Sequence, residues 1–535
     1  MAADSSGRAR RASPRRSGSP PGLVLGLACL AARCRAALSR GLGSCIAGRP
    51  LIRPLLVALL ALVAAACHED ASVEPEPAAQ QFRSRPDLRP PSVEIAEPSR
   101  GAAPGYVFLA PKREVAQAGP LILDDEGEVV WFRPLDTHGV TDFRVQRYDG
   151  RPVLTWWRGQ SERGIGDGHF VILDDAYREI ATVSAGNGLT GDIHEFLITD
   201  RDTALILVYH RVPRDLRPLG GPAEGEIWDN IVQELDIATG RVLFEWHSLE
   251  HVAPAESYAP VPDPEKGEEA DAYDYFHVNS VDVDDDGDLI VSARNTHAVY
   301  KLDRGTGEVI WRLGGKESDY ALGPGVRFAW QHDARRQPDG TLTLFDNVAA
   351  EEDEGGASRV IVLRLDDESR RATLDRSYRH PTGLLSTTQG NAQFLPGGHV
   401  FVGWGSQRWF TEFDSEGEVA FDGSFGSEGA DSYRAYRFEW VGRPAEAPAV
   451  AVEPGEGDDR WVVHASWNGA TEVARWQVLA GAEARRLQPL AEEARSGFET
   501  TVPVATDAAV LQVRALNARG AVLGTSRPVE LAEPD

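Results

Sequence analysis

The chain has 535 residues, of which 42% are hydrophobic, and a formal net charge of −27. This length exceeds what one ordinary hydrophobic core fills, although a repeat architecture can use it as a single unit. Phosphate groups would be repelled by so acidic a chain, so the charge argues against a nucleic-acid-binding protein.

The N-terminus predicts an export signal. Residues 1–53 contain ten Arg and a single acidic residue, Asp4. The apolar run Leu55–Ala66 comes next, is too short to span a membrane, and ends in small residues before Cys67. This order resembles a bacterial lipoprotein signal. It predicts a lipid on Cys67 and a location in the bacterial cell envelope, as a periplasmic or cell-surface lipoprotein held to the membrane by that lipid. The alternative is a plain secretory signal.

The cysteines agree with export. All four lie at or before the predicted cleavage point, at Cys29, Cys34, Cys45 and Cys67. The mature chain is therefore predicted to contain no disulfide, no cysteine nucleophile and no thiolate metal site. The segment that follows, up to residue 100, is rich in Pro, Glu and Ala, which is typical of a flexible tether.

A repeated pattern follows the tether. An apolar run, an Asp, a short turn and a second apolar run recur six times, beginning at Leu121, Val171, Gln233, Tyr300, Leu363 and Thr411. A second type of hairpin lies between these copies. Two hairpins per unit favour a six-bladed β-propeller over a sandwich, and the alternative is an open stack of sheets.

The first repeat has only one strand, Gly105–Leu109, before its Asp-containing hairpin. We expect Tyr433–Trp440 to pair with that strand and close the ring, because closure removes free sheet edges. The segment Ala272–His332 contains the best-defined unit, predicted to be a four-stranded antiparallel sheet.

The composition shifts after Pro444, and a compact all-β pattern follows. Strands are predicted at Trp461–Trp467, Ala474–Leu479 and Val510–Asn517, in a pattern similar to a fibronectin type III or immunoglobulin-like sandwich. The predicted fold class is thus all-β, a six-bladed propeller followed by a small C-terminal β-sandwich. The predicted segments are the leader and lipoprotein-type signal (1–66), the tether (67–100), the catalytic propeller (101–442), a linker (443–458) and the sandwich (459–535).

Histidines recur at one position of the repeat. His194, His277 and His332 each open the first hairpin of a unit, and Asn391 stands at the same place in the next unit. Equivalent positions of a propeller are related by rotation about its axis, so the three imidazoles are expected to converge at the mouth of the channel. Arg294 and Asn295 follow the return strand of the middle unit and are expected at the same mouth.

Convergent histidines allow three kinds of chemistry. They could bind a metal, act as acid, base or nucleophile, or bind an anion together with Arg294. The fixed positive charge of Arg294 favours an anionic substrate over a metal, so no metal and no cofactor are predicted. The run Asp282, Asp284, Asp286 imitates a calcium loop, but Ala293 stands where the bidentate Glu is needed. It is predicted to be an acidic turn.

Together, several motifs resemble the arylsulfotransferase family over about residues 95–440. The motifs are Gly105–Pro111, Gly119–Asp124, Asp192–Phe196, His277–Val281, Ser292–Asn295, Ile310–Gly315 and Gln331–Asp333. The resemblance implies a six-bladed propeller in a bacterial envelope. It also implies transfer of a sulfuryl group from a phenolic sulfate ester to a phenol, without a nucleotide sulfate donor.

The resemblance also implies residue roles. His332 matches the histidine that is transiently sulfurylated, and His194 matches a histidine that transfers a proton at the bridging oxygen. His277, Asn279 and Arg294 match groups that hold the sulfuryl oxygens, with Asn295 beside them. The expected partners are therefore phenolic sulfate donors and phenol acceptors. Two alternatives stay open: a lipid-anchored propeller for binding or adhesion without catalysis, and a metal-dependent propeller lyase or hydrolase.

Overall fold

The computed structural model describes residues 77–136, 139–263, 272–347, 356–456 and 460–531. All of them belong to one unit of the chain, Glu76–Asp535. The predicted signal and Cys67 lie outside the described residues. Strands dominate the described residues, so the predicted all-β class is confirmed. No helix within these ranges is long and apolar enough to cross a membrane.

The strands are short and alternate with tight turns. The one described α-helix, α1 (Ser248–His251), is a single turn, as are the 3-10 segments Arg217–Leu219, Pro254–Glu256 and Pro396–Gly398. The first sixteen strands are β1 (Val93–Glu97), β2 (Tyr106–Leu109), β3 (Leu121–Leu123), β4 (Val129–Phe132), β5 (Val140–Tyr148), β6 (Arg151–Glu162), β7 (Ile165–Leu173), β8 (Glu179–Val183), β9 (Phe196–Ile198), β10 (Thr203–Arg214), β11 (Gly225–Asp236), β12 (Val242–His247), β13 (Val278–Val283), β14 (Leu289–Ala293), β15 (Ala298–Leu302) and β16 (Val309–Gly314).

The remaining strands continue this pattern into the C-terminal part of the chain. They are β17 (Ala321–Leu322), β18 (His332–Arg336), β19 (Leu342–Asp346), β20 (Arg359–Asp366), β21 (Arg371–Tyr378), β22 (Asn391–Phe394), β23 (Val400–Gly403), β24 (Trp409–Phe413), β25 (Val419–Phe425), β26 (Ala435–Phe438), β27 (Ala449–Pro454), β28 (Trp461–Ser466), β29 (Arg475–Gly481), β30 (Gln488–Ala494), β31 (Glu499–Val504), β32 (Val510–Leu516), β33 (Val522–Thr525) and β34 (Val529–Glu530).

Five of the six predicted repeats each form a sheet built on four consecutive antiparallel strands. These sheets are β5–β8, β9–β12, β13–β16, β18–β21 and β22–β25, and β17 adds a short parallel strand to the fourth of them. The sheet β13–β16 is the one predicted within Ala272–His332. A further sheet has the order β26-β2-β3-β4, so the predicted return of the chain to pair with the first strand is confirmed.

The first strand of each sheet lies at an edge and faces the neighbouring sheets. Contacts join β26 to β5, β5 to β9, β10 to β13, β13 to β18, β18 to β22 and β22 back to β26. Separate hydrophobic clusters fill the spaces between successive sheets; one packs Trp131 and Trp156 with Tyr436. The core is therefore distributed between the sheets.

The structure differs from the predicted tether over residues 77–100. Strand β1 pairs with β25 at the outer edge of the last sheet, from Val93 opposite Phe425 onward. The side chains of Phe82 and Leu88 are buried in the adjacent core. A few apolar residues among many prolines and glutamates are enough to anchor this segment, which composition alone does not reveal.

The C-terminal strands form two further sheets, β27-β28-β31 and β30-β29-β32-β33, with β34 beside β32. The predicted linker over 443–458 is wrong in part, since β27 falls within it and pairs with β28. Two contacts fix this part of the chain to the earlier sheets. The Tyr177 hydroxyl donates to the Gly469 carbonyl at 2.8 Å, and the Asn468 amide bonds both the N–H and the carbonyl of Phe132.

A glycine immediately before β22 provides a test of this packing. Gly390 has a φ of +104°, and a Cβ there would lie 2.6 Å from the buried ring of Phe345. We expect Gly390→Ala to lower the free energy of unfolding by about 2–4 kcal/mol, because backbone strain and overpacking add. Thermal or urea unfolding measures this loss.

Gly340→Ala is the matched control for that substitution. Gly340 also has a positive φ, +81°, but a Cβ there meets no atom within 4 Å. It should therefore lose only the strain component, about 1–2 kcal/mol. Equal losses in the two variants would contradict the predicted clash with Phe345.

Candidate functional site

The three predicted histidines converge on the first strands of three neighbouring sheets. His194 precedes β9, His277 precedes β13, and His332 opens β18. The rings of His194 and His277 lie edge to face, with centroids 5.1 Å apart. Tyr433 links the third imidazole to them, since its ring centroid lies 5.5 Å from that of His194 and 6.3 Å from that of His332.

Two of these imidazoles are oriented by carboxylates close in sequence. The Nδ1 atom of His194 contacts the carboxylate of Asp192, and the Nδ1 atom of His277 contacts that of Asp274. Asp192 is itself held by the backbone N–H of Gly166 at 2.7 Å. Both rings therefore present Nε2 away from their carboxylates, which is the arrangement of an oriented acid or base.

His332 has a different environment that fixes its tautomer. Its Nδ1 lies 2.8 Å from Oδ1 of Asn347 and 2.9 Å from the carbonyl oxygen of Trp330. The amide nitrogen of Asn347 donates to the carbonyls of Ser386 and Gln389, so its oxygen must face the imidazole. Nδ1 therefore carries the hydrogen, and Nε2 keeps its lone pair.

That lone pair is not completely free. The backbone N–H of Gln389 donates to Nε2 of His332 at 3.2 Å, a long hydrogen bond. Any electrophile approaching Nε2 has to replace this bond. The sequence alone gave no sign of it, because Gln389 lies in the loop before β22 of the next sheet.

Burial disfavours the charged form of His332 and of His194. It lowers the pKa of His332 well below 6.5, and the positive charge of Arg294 adds to the effect against the opposing hydrogen bond of Asn347. Burial also lowers the pKa of His194, although Asp192 opposes that shift. A neutral imidazole with a lone pair on Nε2 is the form that acts as a nucleophile.

Arg294 supplies a half-buried positive charge. Its guanidinium lies over the ring of Trp330 at 4.6 Å and donates to Oδ1 of Asn295 at 2.9 Å. Among the described residues it forms no ion pair, and its Nε atom has no hydrogen-bond partner. A cation held in place without a carboxylate is suited to binding an anion.

The two predicted asparagines form hydrogen bonds with other residues of the site. Asn279 is fully buried, and its amide nitrogen donates to the carbonyl of Gln331, the residue before His332, at 2.7 Å. Asn295 donates to the carbonyl of Asp274 at 2.6 Å while accepting from Arg294. Both therefore position neighbouring side chains in this structure, and Oδ1 of Asn279 has no partner among the described residues.

A second cation lies near the histidines, contributed by a residue that sequence reasoning missed. Lys112 is buried, and its Nζ lies 5.9 Å from the ring centroid of Tyr433. Burial lowers the pKa of Lys112, against the opposing attraction of Asp431. The site thus combines two cations with three imidazoles.

A cavity of about 780 Å³ opens beside this cluster. Tyr209 and Asp274 belong to both, since the Tyr209 ring lies 5.6 Å from that of His194 and Asp274 contacts His277. Trp228 lines the same cavity, with its ring centroid 6.3 Å from that of Tyr209. The lining also contains the acidic side chains of Glu162, Asp167 and Asp274 and the basic side chains of Arg163 and Arg211. The rings of Tyr209 and Trp228 offer an aromatic group a surface to pack on.

The acidic turn that imitates a calcium loop is occupied by a side chain. The ammonium group of Lys301 lies 2.8 Å from Asp284 and also pairs with Asp286, and Arg336 contacts Asp284 from the other side. Across the described ranges, no group of three or more His, Cys, Asp or Glu side chains could hold a metal ion.

A family model described as arylsulfotransferase (ASST) matches residues 144–426, more than half of the chain. The chain belongs to the arylsulfotransferase family. The predicted family assignment is thereby confirmed, and the matched span contains His194, His277, Arg294 and His332. No curated protein is significantly similar to the chain.

Solved structures resemble this arylsulfotransferase family member only distantly. A protein of unknown function from Bacteroides caccae is 12% identical, with a TM-score of 0.38, and the match covers 63% of this chain and all of that one. The periplasmic gluconolactonase of Pseudomonas aeruginosa is 13% identical, with a TM-score of 0.34 and coverages of 80% and 97%. The virginiamycin B lyase of Staphylococcus aureus is 11% identical, with a TM-score of 0.24 and coverages of 65% and 87%. Similarities this distant do not bear on the function.

The neutral state of His332 has a consequence for stability. The unfolded imidazole takes up a proton below a pH of about 6.5, whereas the folded one does so only at a much lower pH. Stability should therefore fall as the pH drops below 6.5, by up to about 1.4 kcal/mol per pH unit from this residue. His332→Gln should remove that part of the slope, as measured by urea unfolding between pH 7 and 5. An unchanged slope would show that the folded imidazole takes up its proton in the same pH range as the unfolded one.

Proposed function

We propose that the chain transfers a sulfuryl group from an aryl sulfate ester to a phenol through a covalent intermediate on His332. Membership of the arylsulfotransferase family supports aryl sulfate transfer in general. The observation that carries the finer proposal is the buried, neutral His332, with its hydrogen on Nδ1 and its lone pair on Nε2.

In the first half of the reaction, Nε2 of His332 attacks the sulfur atom of the donor. A nitrogen–sulfur bond forms, and the bond from sulfur to the phenolic oxygen breaks. That oxygen takes the proton from Nε2 of His194, which enters this step in its protonated form with Nδ1 on the Asp192 carboxylate. Asp192 favours the protonated form of His194 while it holds this proton. Sulfurylated His332 and a free phenol result.

In the second half, the acceptor phenol gives its proton to neutral His194 and its oxygen attacks the sulfur. The nitrogen–sulfur bond breaks, and both histidines return to their starting states. Arg294 stabilises the charge on the sulfuryl oxygens in both halves, because it is half-buried and forms no ion pair among the described residues. His277 lies beside His194 and is placed to hold a further sulfuryl oxygen.

The aromatic cavity supports the proposed substrate class. Trp228 and Tyr209 would receive the aryl group of donor and acceptor in turn, next to His194 and His277. In a two-step transfer the donor phenol leaves before the acceptor binds, so one cavity can hold the two aryl groups in turn.

The proposed architecture is a six-bladed β-propeller over residues 101–442, followed by a C-terminal β-sandwich. Six successive sheets with contacts from each to the next support the propeller. Two antiparallel sheets formed by β27–β34 support the sandwich.

The decisive test of the mechanism is His332→Ala with a chromogenic aryl sulfate. The wild-type protein should release phenol and pass the sulfuryl group to an acceptor with ping-pong kinetics. His332→Ala should lose both halves of the reaction, while its circular dichroism and melting temperature remain close to wild type. A folded variant that still releases phenol at the wild-type rate would exclude the covalent intermediate.

Arg294→Ala serves as the contrasting variant. It keeps the nucleophile and removes one preorganised donor, so we expect about a hundredfold loss of rate, or roughly 3 kcal/mol. Wild-type protein that turns over no aryl sulfate would favour a non-catalytic binding protein. Turnover that is lost on chelation and restored by zinc or manganese would favour the metal-dependent alternative.

We also propose a location in the bacterial cell envelope, with a lipid on Cys67. The support is the sequence order of basic region, apolar run and small residues before that cysteine. Mass spectrometry of protein from a bacterial host should find a mature chain that begins at a lipidated Cys67. Cys67→Ser should release the protein from the membrane fraction, whereas an unmodified N-terminus at another residue would support the plain secretory signal.

A further inference from the structure

Tyr433 occupies the space between the two histidines to which the proposed function gives chemical roles. It precedes the closing strand β26 and is 1% exposed. Its ring meets those of both His194 and His332 edge to face. In the proposed reaction, Nε2 of His332 attacks sulfur and His194 protonates the bridging oxygen. The sulfuryl group moves between these two sites, so Tyr433 lies beside its path.

The hydroxyl group of Tyr433 is buried without a hydrogen-bond partner in the part of the chain that the structure describes. Leaving such a group unpaired is costly, and buried polar groups without partners are rare in folded proteins. Tyr209 on the other side of His194 is different, because its hydroxyl donates to the Val278 carbonyl at 2.7 Å. Tyr433 therefore has an unused donor next to the reacting groups.

Other unpaired polar atoms occur in the same cluster. Nε of Arg294, Oδ1 of Asp274 and Oδ1 of Asn279 are likewise buried without partners among the described residues. Several such atoms around one centre indicate a group that is bound there during function. The two donors among these atoms, Arg294 and Tyr433, suit an anion.

We propose that the Tyr433 hydroxyl donates a hydrogen bond to a nonbridging oxygen of the sulfuryl group during transfer, which makes Tyr433 a catalytic residue. This inference rests on the proposed function and adds a residue from outside the span that matches the family model, residues 144–426. Burial, together with the nearby charges of Glu195 and Asp192, raises the pKa of Tyr433 well above 10. The hydroxyl thus keeps its proton at neutral pH.

Tyr433→Phe tests the proposal because it removes only the hydroxyl. With 4-nitrophenyl sulfate as donor and phenol as acceptor, kcat should fall by about tenfold to a hundredfold, as expected for the loss of one preorganised donor. The sulfuryl group is common to both halves, so both the rapid first release of 4-nitrophenol and the steady turnover should slow. The melting temperature should stay the same or rise, since an unpaired buried group is removed.

Tyr378→Phe is the matched control. Tyr378 is also a buried tyrosine, but its ring packs against Phe394 and Phe413, away from the histidines. It should keep wild-type kcat.

A second donor distinguishes contact with sulfate from contact with the aromatic ring. 4-Methylphenyl sulfate and 4-nitrophenyl sulfate carry the same sulfuryl group, so Tyr433→Phe should slow both by the same factor. A factor that depends on the aryl substituent would place the hydroxyl at the phenol and overturn the proposal.

Two further results would overturn it. One is wild-type kcat in folded Tyr433→Phe, and the other is a lower melting temperature, which would show that the hydroxyl has a structural partner. These outcomes require an active wild-type protein and so leave the proposed function standing. A wild-type protein without turnover would instead remove both proposals.

Discussion

One buried guanidinium joins the sheets at the centre of the structure. Arg434, immediately before the closing strand β26, is fully buried and hydrogen-bonds to Asp142 at 3.0 Å and to both carboxylate oxygens of Glu195 at 3.1 Å. It also reaches the Asn279 carbonyl at 3.3 Å and lies 3.5 Å from Asp333. These partners belong to four different sheets, and Arg434 itself leads into a fifth.

Neighbouring charged side chains compensate the charges of Arg434 and its carboxylate partners. Arg144 and Arg335 also contact Glu195, and Asp142 and Asp333 supply further negative charges. Three guanidinium groups and three carboxylates thus share one buried network, which meets the requirement that buried charges be paired. Removing one member would leave its partners uncompensated, a loss of roughly 3–5 kcal/mol. The joining of these sheets therefore depends on a specific set of charges as well as on strand pairing.

The same network also holds the backbone of two of the histidines, because two of its carboxylates are their neighbours in sequence. Glu195 directly follows His194, and Asp333 directly follows His332, so each anchored carboxylate holds the backbone of a site residue. The imidazoles are oriented by hydrogen bonds of their own, from Nδ1 of His194 to Asp192 and from Nδ1 of His332 to Asn347. The buried ion network thus lies on one side of these residues, and the cluster of imidazoles, Arg294 and unpaired polar atoms on the other.

The sequence predicted those parts of the fold that depend on short stretches of neighbouring residues. Hairpins appear wherever an apolar run, an Asp or Gly turn and another apolar run follow each other, because this pattern acts over about ten residues. The three histidines were found because they occupy one position of a repeat. The strand within the predicted tether was missed, since β1 is stabilised by pairing with β25, more than 300 residues away. The carboxylates beside two of the histidines could have been found, because Asp192 and Asp274 lie two and three residues before their imidazoles.

Tyr433 and Lys112 could not be predicted from the repeat pattern, because the path of the chain brings them to the site from outside it. Neither belongs to the repeat position of the histidines, and each reaches the centre only because the chain's last repeat strand returns to the first sheet. The backbone N–H and carbonyl of Lys112 pair with those of Asp431, two residues before Tyr433. The closing segment therefore brings together the guanidinium that joins the sheets, the proposed catalytic hydroxyl and the buried ammonium. An incompletely closed molecule would lack all three, so the proposed site is complete only when folding is complete.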